Sequence, residues 1–125
     1  MTWLRRTIWI GTALYWLAAF VLTHTPVAIP MPAVKSDKTE HFIGYLVLGG
    51  MLYASLRVAG WRNAVLWVLV VGLCYGAVDE QTQKLVGRSC DLQDWYADAA
   101  GLSVAVALGG LLTLWREYRA PRASW

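Results

Sequence analysis

The chain has 125 residues, which is enough for one domain, and its composition excludes an ordinary soluble domain. Hydrophobic residues make up 58% of the chain and charged residues only 15%, against about a quarter charged in a typical soluble domain. The net charge of +3 is a weak argument for a nucleic-acid partner, and we expect none, because the basic residues are distributed as in a membrane protein.

Four apolar runs follow one another along the chain, each near the roughly 20 residues that a membrane-spanning helix needs. They extend over Thr7 to Thr23, Phe42 to Gly60, Trp61 to Val78 and Trp95 to Trp115. The runs are unbroken and do not alternate, so they predict helices rather than strands. The sequence therefore predicts an all-α fold, a membrane bundle of four transmembrane helices, as a single domain over residues 1–125.

The first run follows Arg5 and Arg6 and has some features of a signal peptide. The residues after it, Thr23 to Pro26, contain no convincing small-residue cleavage site. We therefore expect the run to remain in the protein as its first helix.

Charged residues predict the orientation of the bundle. Seven basic residues lie on the side of the two termini: Arg5, Arg6, Arg57, Arg62, Arg116, Arg119 and Arg122. Four lie in the loops of the opposite side: Lys35, Lys38, Lys84 and Arg88. The positive-inside rule then places both termini in the cytoplasm. All the acids except Glu117 fall on the opposite, outer side.

The acidic residues are predicted to share three helix faces. The third run is short unless its helix continues to about Leu85. On that helix Gly72, Gly76, Asp79, Glu80 and Gln83 share one face. A second helix that begins near Ser36 aligns Asp37, His41, Gly44, Tyr45 and Leu48, and a fourth that begins near Asp91 aligns Asp91, Asp94, Asp98, Gly101 and Ala105. If the three faces meet, they enclose a polar pocket at the outer end of the bundle.

A buried carboxylate in this pocket needs a partner, because an unpaired charge at a helix centre costs roughly 2.5–3.5 kcal/mol on insertion scales. The available partners for Asp98 are Lys38, His41, Lys84 and Arg88. Arg88 is the best candidate, since its planar fork can grip a carboxylate or a phosphate with two hydrogen bonds.

Three segments together resemble the VanZ-like family of small bacterial membrane proteins. They are Ser36-Asp-Lys-Thr-Glu-His41-Phe-Ile-Gly-Tyr45, Asp79-Glu-Gln-Thr-Gln83 and Gly87-Arg88-Ser-Cys-Asp91-Leu-Gln-Asp94-Trp-Tyr-Ala-Asp98-Ala-Ala-Gly101. The resemblance implies four helices and, in some members, a link with tolerance to the lipoglycopeptide teicoplanin; it implies no settled biochemical activity. The chain departs from the family pattern at Asp98, where many members have Asn, and at Val86, where a proline is often found.

The residues of this chain that match the family pattern are Asp37, Lys38, His41, Tyr45, Glu80, Gln83, Gly87, Arg88, Asp91, Asp94 and Gly101. We expect a ligand to bind at eight of these positions: Asp37, Lys38, His41, Tyr45, Glu80, Gln83, Arg88 and Asp94. No catalytic residue is assigned. His41 is either a general base or metal ligand, or a helix-end histidine bonded to a neighbouring carboxylate.

A metal is the one cofactor that the sequence raises. Asp91, Asp94 and Asp98 have a spacing that could hold a divalent cation, although Asp91 and Asp94 could equally cap and stabilise the start of a helix. Zinc is less expected, because the chain has only two histidines and neither a CxxC nor an HExxH motif.

Three functions are consistent with these residues. The first is recognition of an envelope lipid, or of a lipid-like molecule such as a lipoglycopeptide, in the outer pocket. The second is a non-catalytic accessory subunit of a larger membrane protein complex. The third is a metal-dependent membrane phosphotransferase or phosphatase.

Overall fold

The computed structural model describes residues 2–25, 37–87 and 91–120. It contains four helices, α1 (Thr2–Thr23), α2 (Asp37–Val58), α3 (Ala64–Gln83) and α4 (Leu92–Arg119), and a 3-10 turn, Lys84–Val86, that follows α3. Each of the four is long and apolar enough to cross a membrane. The predicted all-α bundle of four transmembrane helices is confirmed, and the protein is a multi-pass membrane protein.

The helix ends follow from local backbone chemistry. Between α2 and α3 the chain reverses at Gly60, whose φ of 84° is a left-handed conformation that favours glycine. Gly87 closes the 3-10 turn in the same way, with a φ of 79°. Asp91 caps α4, since its side chain accepts a hydrogen bond of 2.9 Å from the Gln93 amide. The predicted continuation of α3 beyond Val78 is confirmed, whereas the predicted cap of α2 at Ser36 lies outside the described residues.

The core lies between α2, α3 and α4. Leu48, Leu52 and Leu56 of α2 are buried against Leu102 of α4 and Val68 of α3. Glycines let the helices approach closely, as expected where van der Waals packing rather than the hydrophobic effect drives association.

Helix α1 lies at the edge of the bundle and buries only Thr12. The Thr12 hydroxyl forms a 2.8 Å hydrogen bond with the Ser55 hydroxyl of α2. Tyr15 donates a 3.0 Å hydrogen bond to the Gly44 carbonyl. Hydrogen bonds between hydroxyl groups are a usual means of joining helices in lipid.

The outside of the bundle is apolar. Leu14, Leu108 and Leu111 are about 60% exposed, at 61%, 59% and 64% respectively. Cys74 also lies on this surface, although it is within an apolar run. In a membrane protein an apolar run faces lipid as readily as the core.

Candidate functional site

Polar residues of three helices meet at one end of the bundle, where α1 and α3 end and α2 and α4 begin. The buried members are His41 of α2, Asp79, Glu80 and Gln83 of α3, and Asp94 and Asp98 of α4. Helical periodicity explains this arrangement, since on each helix these residues fall on the face that also carries the buried core residues.

His41, Glu80 and Asp98 form the centre of the site. The Nδ1 atom of His41 lies 2.9 Å from Oδ1 of Asp98 and 3.8 Å from Oε1 of Glu80. Each residue offers one ligand atom, and these three atoms all lie within 4.8 Å of one another. Among the described residues this is the group that could hold a metal ion. We refer to these three residues as the central triad.

Three buried polar atoms at this centre form no hydrogen bond among the residues that the structure describes. Oε1 of Glu80, Oδ2 of Asp98 and the Tyr45 hydroxyl are buried without a hydrogen bond to any described residue. The other carboxylate oxygen of Glu80, Oε2, accepts a 3.2 Å hydrogen bond from the Asp91 amide. Buried polar atoms are usually paired, so three orphans in one place call for a physical account.

Gly76 makes room for the centre. A Cβ at this position would lie 3.2 Å from Oδ2 of Asp98 and 3.4 Å from the Tyr45 hydroxyl. Any larger residue would push the carboxylate and the phenol away from α3. This close approach explains why a glycine lies directly below the acidic residues of that helix.

Lys38 neutralises the rim of the site. Its Nζ atom lies 2.9 Å from Oδ2 of Asp91 and 3.2 Å from Oδ1 of Asp94. The hydrogen bond from the Gln93 amide, together with the one from Lys38, lowers the pKa of Asp91 below its ordinary value. Lys38 is therefore bound to two carboxylates and neutralises part of their charge.

Asp79 forms a second polar cluster, which ties α1 to α3. Its Oδ1 atom accepts hydrogen bonds from Thr23 at 3.1 Å and from Tyr75 at 3.3 Å, and its Oδ2 atom accepts one of 2.9 Å from Gln83. His24 adds a 2.8 Å hydrogen bond between Nε2 and the Thr82 hydroxyl.

A cleft of about 350 Å³ lies between α1, α2 and α3, next to this cluster. Apolar side chains of α1 and α2 form most of its wall: Ala18, Ala19, Leu22, Ile43 and Leu48. Its polar lining consists of Thr23, Glu40, His41 and Asp79, with the tyrosines Tyr15, Tyr45 and Tyr75. A second cleft of about 390 Å³ lies between α3 and α4 and is lined by Glu80, Asp91 and Trp95, among others.

The predicted ligand-binding residues are found at this end as far as the structure describes them. Lys38, His41, Tyr45, Glu80, Gln83 and Asp94 all lie within the cluster. Asp37 begins α2, but its side chain lies outside the described residues, as does the whole of Arg88. The sequence analysis gave Arg88 as the best candidate partner for Asp98. Within the described residues, Asp98 contacts His41.

The predicted metal residues separate into two groups. Asp91 and Asp94 both contact Lys38, whereas Asp98 contacts His41 of the central triad. Sequence reasoning did not select Asp79 or His24 as site residues. Asp79 could have been selected because it shares a face with Glu80 and Gln83, but no periodic signal points to His24.

No family model, curated protein or solved structure matches the chain. The similarity to the VanZ-like family therefore remains a prediction from the residues quoted above.

Proposed function

We propose that the protein recognises an envelope lipid, or a lipid-like molecule such as a lipoglycopeptide, at the outer end of the bundle. The observation that carries the proposal is the cleft between α1, α2 and α3, which has an apolar wall and a polar end. Its volume of about 350 Å³ falls within the usual range of small-molecule sites.

The apolar wall suits an acyl chain. Ala18 and Ala19 are small, so they leave space between α1 and α2. Leu22 and Ile43 line the cleft and are also 55% and 45% exposed on the outside of the bundle. A chain could therefore enter sideways from the membrane, without crossing a polar surface.

The polar end suits a head that carries N–H or O–H donors. Glu40 and Asp79 line the cleft, and no hydrogen bond among the described residues engages the Nε2 atom of His41. Lys38 is already paired with Asp91 and Asp94. Amine, amide and hydroxyl groups, which a lipoglycopeptide carries, match this lining better than a bare phosphate does.

The residue pattern supports two further parts of the proposal. Membership of the VanZ-like family would place the protein in a bacterial inner membrane, with the cleft on the extracytoplasmic side. Asp37 and Arg88 would then complete the polar core around His41, Glu80 and Asp94.

Native mass spectrometry of the protein, extracted mildly from its own membranes, tests the proposal. Ala19→Phe fills the cleft, whereas Ala13→Phe makes the same change at an exposed position of α1 that does not line it. We expect a bound lipid-sized mass in the wild type and in Ala13→Phe, and at least about tenfold less in Ala19→Phe, equivalent to ~1.4 kcal/mol. Equal retention in all three proteins would contradict the proposed cleft.

The same measurement on polar variants tests the head site. Asp94→Asn and Arg88→Ala are expected to weaken lipid retention, the first because it releases Lys38 from one of its two carboxylates. If retention is unchanged in both variants, the head group does not bind where we place it.

The alternatives give different results. A partner protein retained at fixed stoichiometry by the wild type and by Ala19→Phe, with no small ligand, would identify an accessory subunit. The metal-capable central triad favours metal-dependent phosphoryl transfer as a second candidate function, which requires a turnover that EDTA abolishes.

A further inference from the structure

We infer that His41, Glu80 and Asp98 bind a divalent transition-metal ion, Zn²⁺ or Mn²⁺, between α2, α3 and α4. Ligands about 2.0–2.2 Å from zinc in a tetrahedral arrangement lie about 3.4 Å apart. The distances from His41 Nδ1 to the two carboxylates, 2.9 Å and 3.8 Å, fall on either side of that value. Small movements of the side chains are therefore enough to form the site.

The unpartnered oxygens support a bound cation independently of those distances. Oε1 of Glu80 and Oδ2 of Asp98 accept no hydrogen bond from any described residue, and the two residues are only 4% and 1% exposed. A buried oxygen of an ionised carboxylate is costly unless a cation or a donor satisfies it. An ion held by the central triad would satisfy Oε1 of Glu80, and it would satisfy Oδ2 of Asp98 when that carboxylate binds through both oxygens.

The charges of the neighbouring residues also favour a bound cation. His41, even when protonated, supplies one positive charge against the two carboxylates of Glu80 and Asp98. The nearest lysine with a described side chain, Lys38, contacts Asp91 and Asp94 instead. A divalent ion would balance the two carboxylates fully and leave His41 as a neutral ligand.

The donor set selects the kind of metal. Two carboxylates alone would suit Mg²⁺, Ca²⁺ or Mn²⁺, whereas an imidazole nitrogen favours zinc or another late first-row metal. The mixed set therefore points to Zn²⁺, or to Mn²⁺ as the first-row metal that also suits carboxylates. Of the two cysteines, Cys74 is exposed on the surface of the bundle and Cys90 lies outside the described residues, so no described thiolate enters the set. The cleft beside Glu80, between α3 and α4, provides a path by which an ion could enter.

Metal binding by the whole protein in detergent tests this inference without any lipid. Metal-stripped protein is titrated with Mn²⁺, and separately with Zn²⁺, and bound metal is measured after removal of free ions. Asp98→Asn and His41→Gln remove ligands. Glu117→Gln removes a carboxylate of the same helix at the opposite end of the bundle, and His24→Gln removes the other histidine.

We expect stoichiometric binding in the wild type and in both controls. Affinity should fall by at least about tenfold in the two ligand variants, since even the outer partners of metal ligands are worth about 10–100-fold. Absence of binding in the wild type, or an equal loss in Glu117→Gln, would overturn the assignment. Because the titration contains no added lipid and the Ala19→Phe comparison contains no added metal, the two proposals can fail separately.

A spectroscopic measurement covers the case in which the ligand variants do not fold. Pulsed electron paramagnetic resonance of the Mn²⁺-bound wild type should show coupling to a directly bonded ¹⁴N nucleus. The coupling should disappear when histidine is labelled with ¹⁵N and should persist in unlabelled His24→Gln. A wild-type spectrum without nitrogen coupling would rule out His41 as a ligand.

Discussion

Replacement of Gly101 by alanine should separate α2 from α4. A Cβ at Gly101 would collide with the Phe42 carbonyl oxygen and would lie 2.9 Å from the Leu46 amide nitrogen. Both are backbone atoms of α2, so the clash cannot be relieved by rotating a side chain. Gly110, farther along the same helix, has nothing within 4 Å of the corresponding position, and Gly110→Ala is a matched control.

Two opposing effects determine the size of the change. Alanine is a better helix former than glycine by up to about 1 kcal/mol, and both variants share that gain. Overpacking a close contact costs about 1–3 kcal/mol, and contact with rigid backbone places Gly101→Ala at the upper end. We therefore expect Gly101→Ala to lower the free energy of unfolding by about 2 kcal/mol, and Gly110→Ala to leave it unchanged or slightly raised.

Unfolding in mixed micelles, with increasing SDS and tryptophan fluorescence as the signal, measures both variants. The same helix interface carries the 2.9 Å contact between His41 and Asp98, so Gly101→Ala should also weaken binding of Mn²⁺. If Gly101→Ala unfolds at the same SDS fraction as Gly110→Ala, the close approach of α2 and α4 is not as described.

Three further predictions concern the edge of the bundle, the rim of the site and the orientation. Thr12→Val removes the hydrogen bond to the buried Ser55 and should cost about 0.6–1.7 kcal/mol in the same unfolding assay, the range found for such bonds in membrane proteins; no change would mean that α1 is held otherwise. Because Gln93 and Lys38 lower the pKa of Asp91, the stabilisation from its ionised form is complete above the ordinary carboxyl pKa of about 3.9 and is lost as the pH falls through the lowered value. The melting temperature of the wild type should therefore approach that of Asp91→Asn as the pH falls towards about 3, and a constant difference would contradict this role. A green fluorescent protein fused to the C-terminus should fluoresce, because the positive-inside rule places both termini in the cytoplasm, and a dark but stable fusion would reverse the orientation.

The helices and their buried faces could be predicted from the sequence because helix geometry determines both. An apolar run that stops at Val78 is short for a membrane span, and this predicted that the helix continues into the acidic residues. The period of 3.6 residues then places Gly72, Gly76 and Asp79 on one face, and all three are buried.

The pairing of charges between helices could not be predicted in the same way. Asp94 and Asp98 are one turn apart on one face of α4, and periodicity does not distinguish them. The register of α2 against α4 decides that Asp98 contacts His41 while Asp94 contacts Lys38. That register depends on backbone contacts between the helices, which the sequence does not reveal. The prediction from spacing therefore grouped Asp98 with Asp91 and Asp94 of its own helix.

The cleft could not be predicted from the sequence either, because it depends on how α1 attaches to the other helices. Hydrogen bonds hold α1 near its middle, at Thr12 and Tyr15, and near its end, at Thr23 and His24. The wall of the cleft lies between these two points of attachment, where α1 does not fill the space beside α2. By contrast, α2 and α4 are in close backbone contact at Gly101, next to the turn that holds Asp98. Close packing of α2 against α4 therefore positions the charged residues, whereas α1 is attached through separate hydrogen bonds and leaves the cleft open beside it.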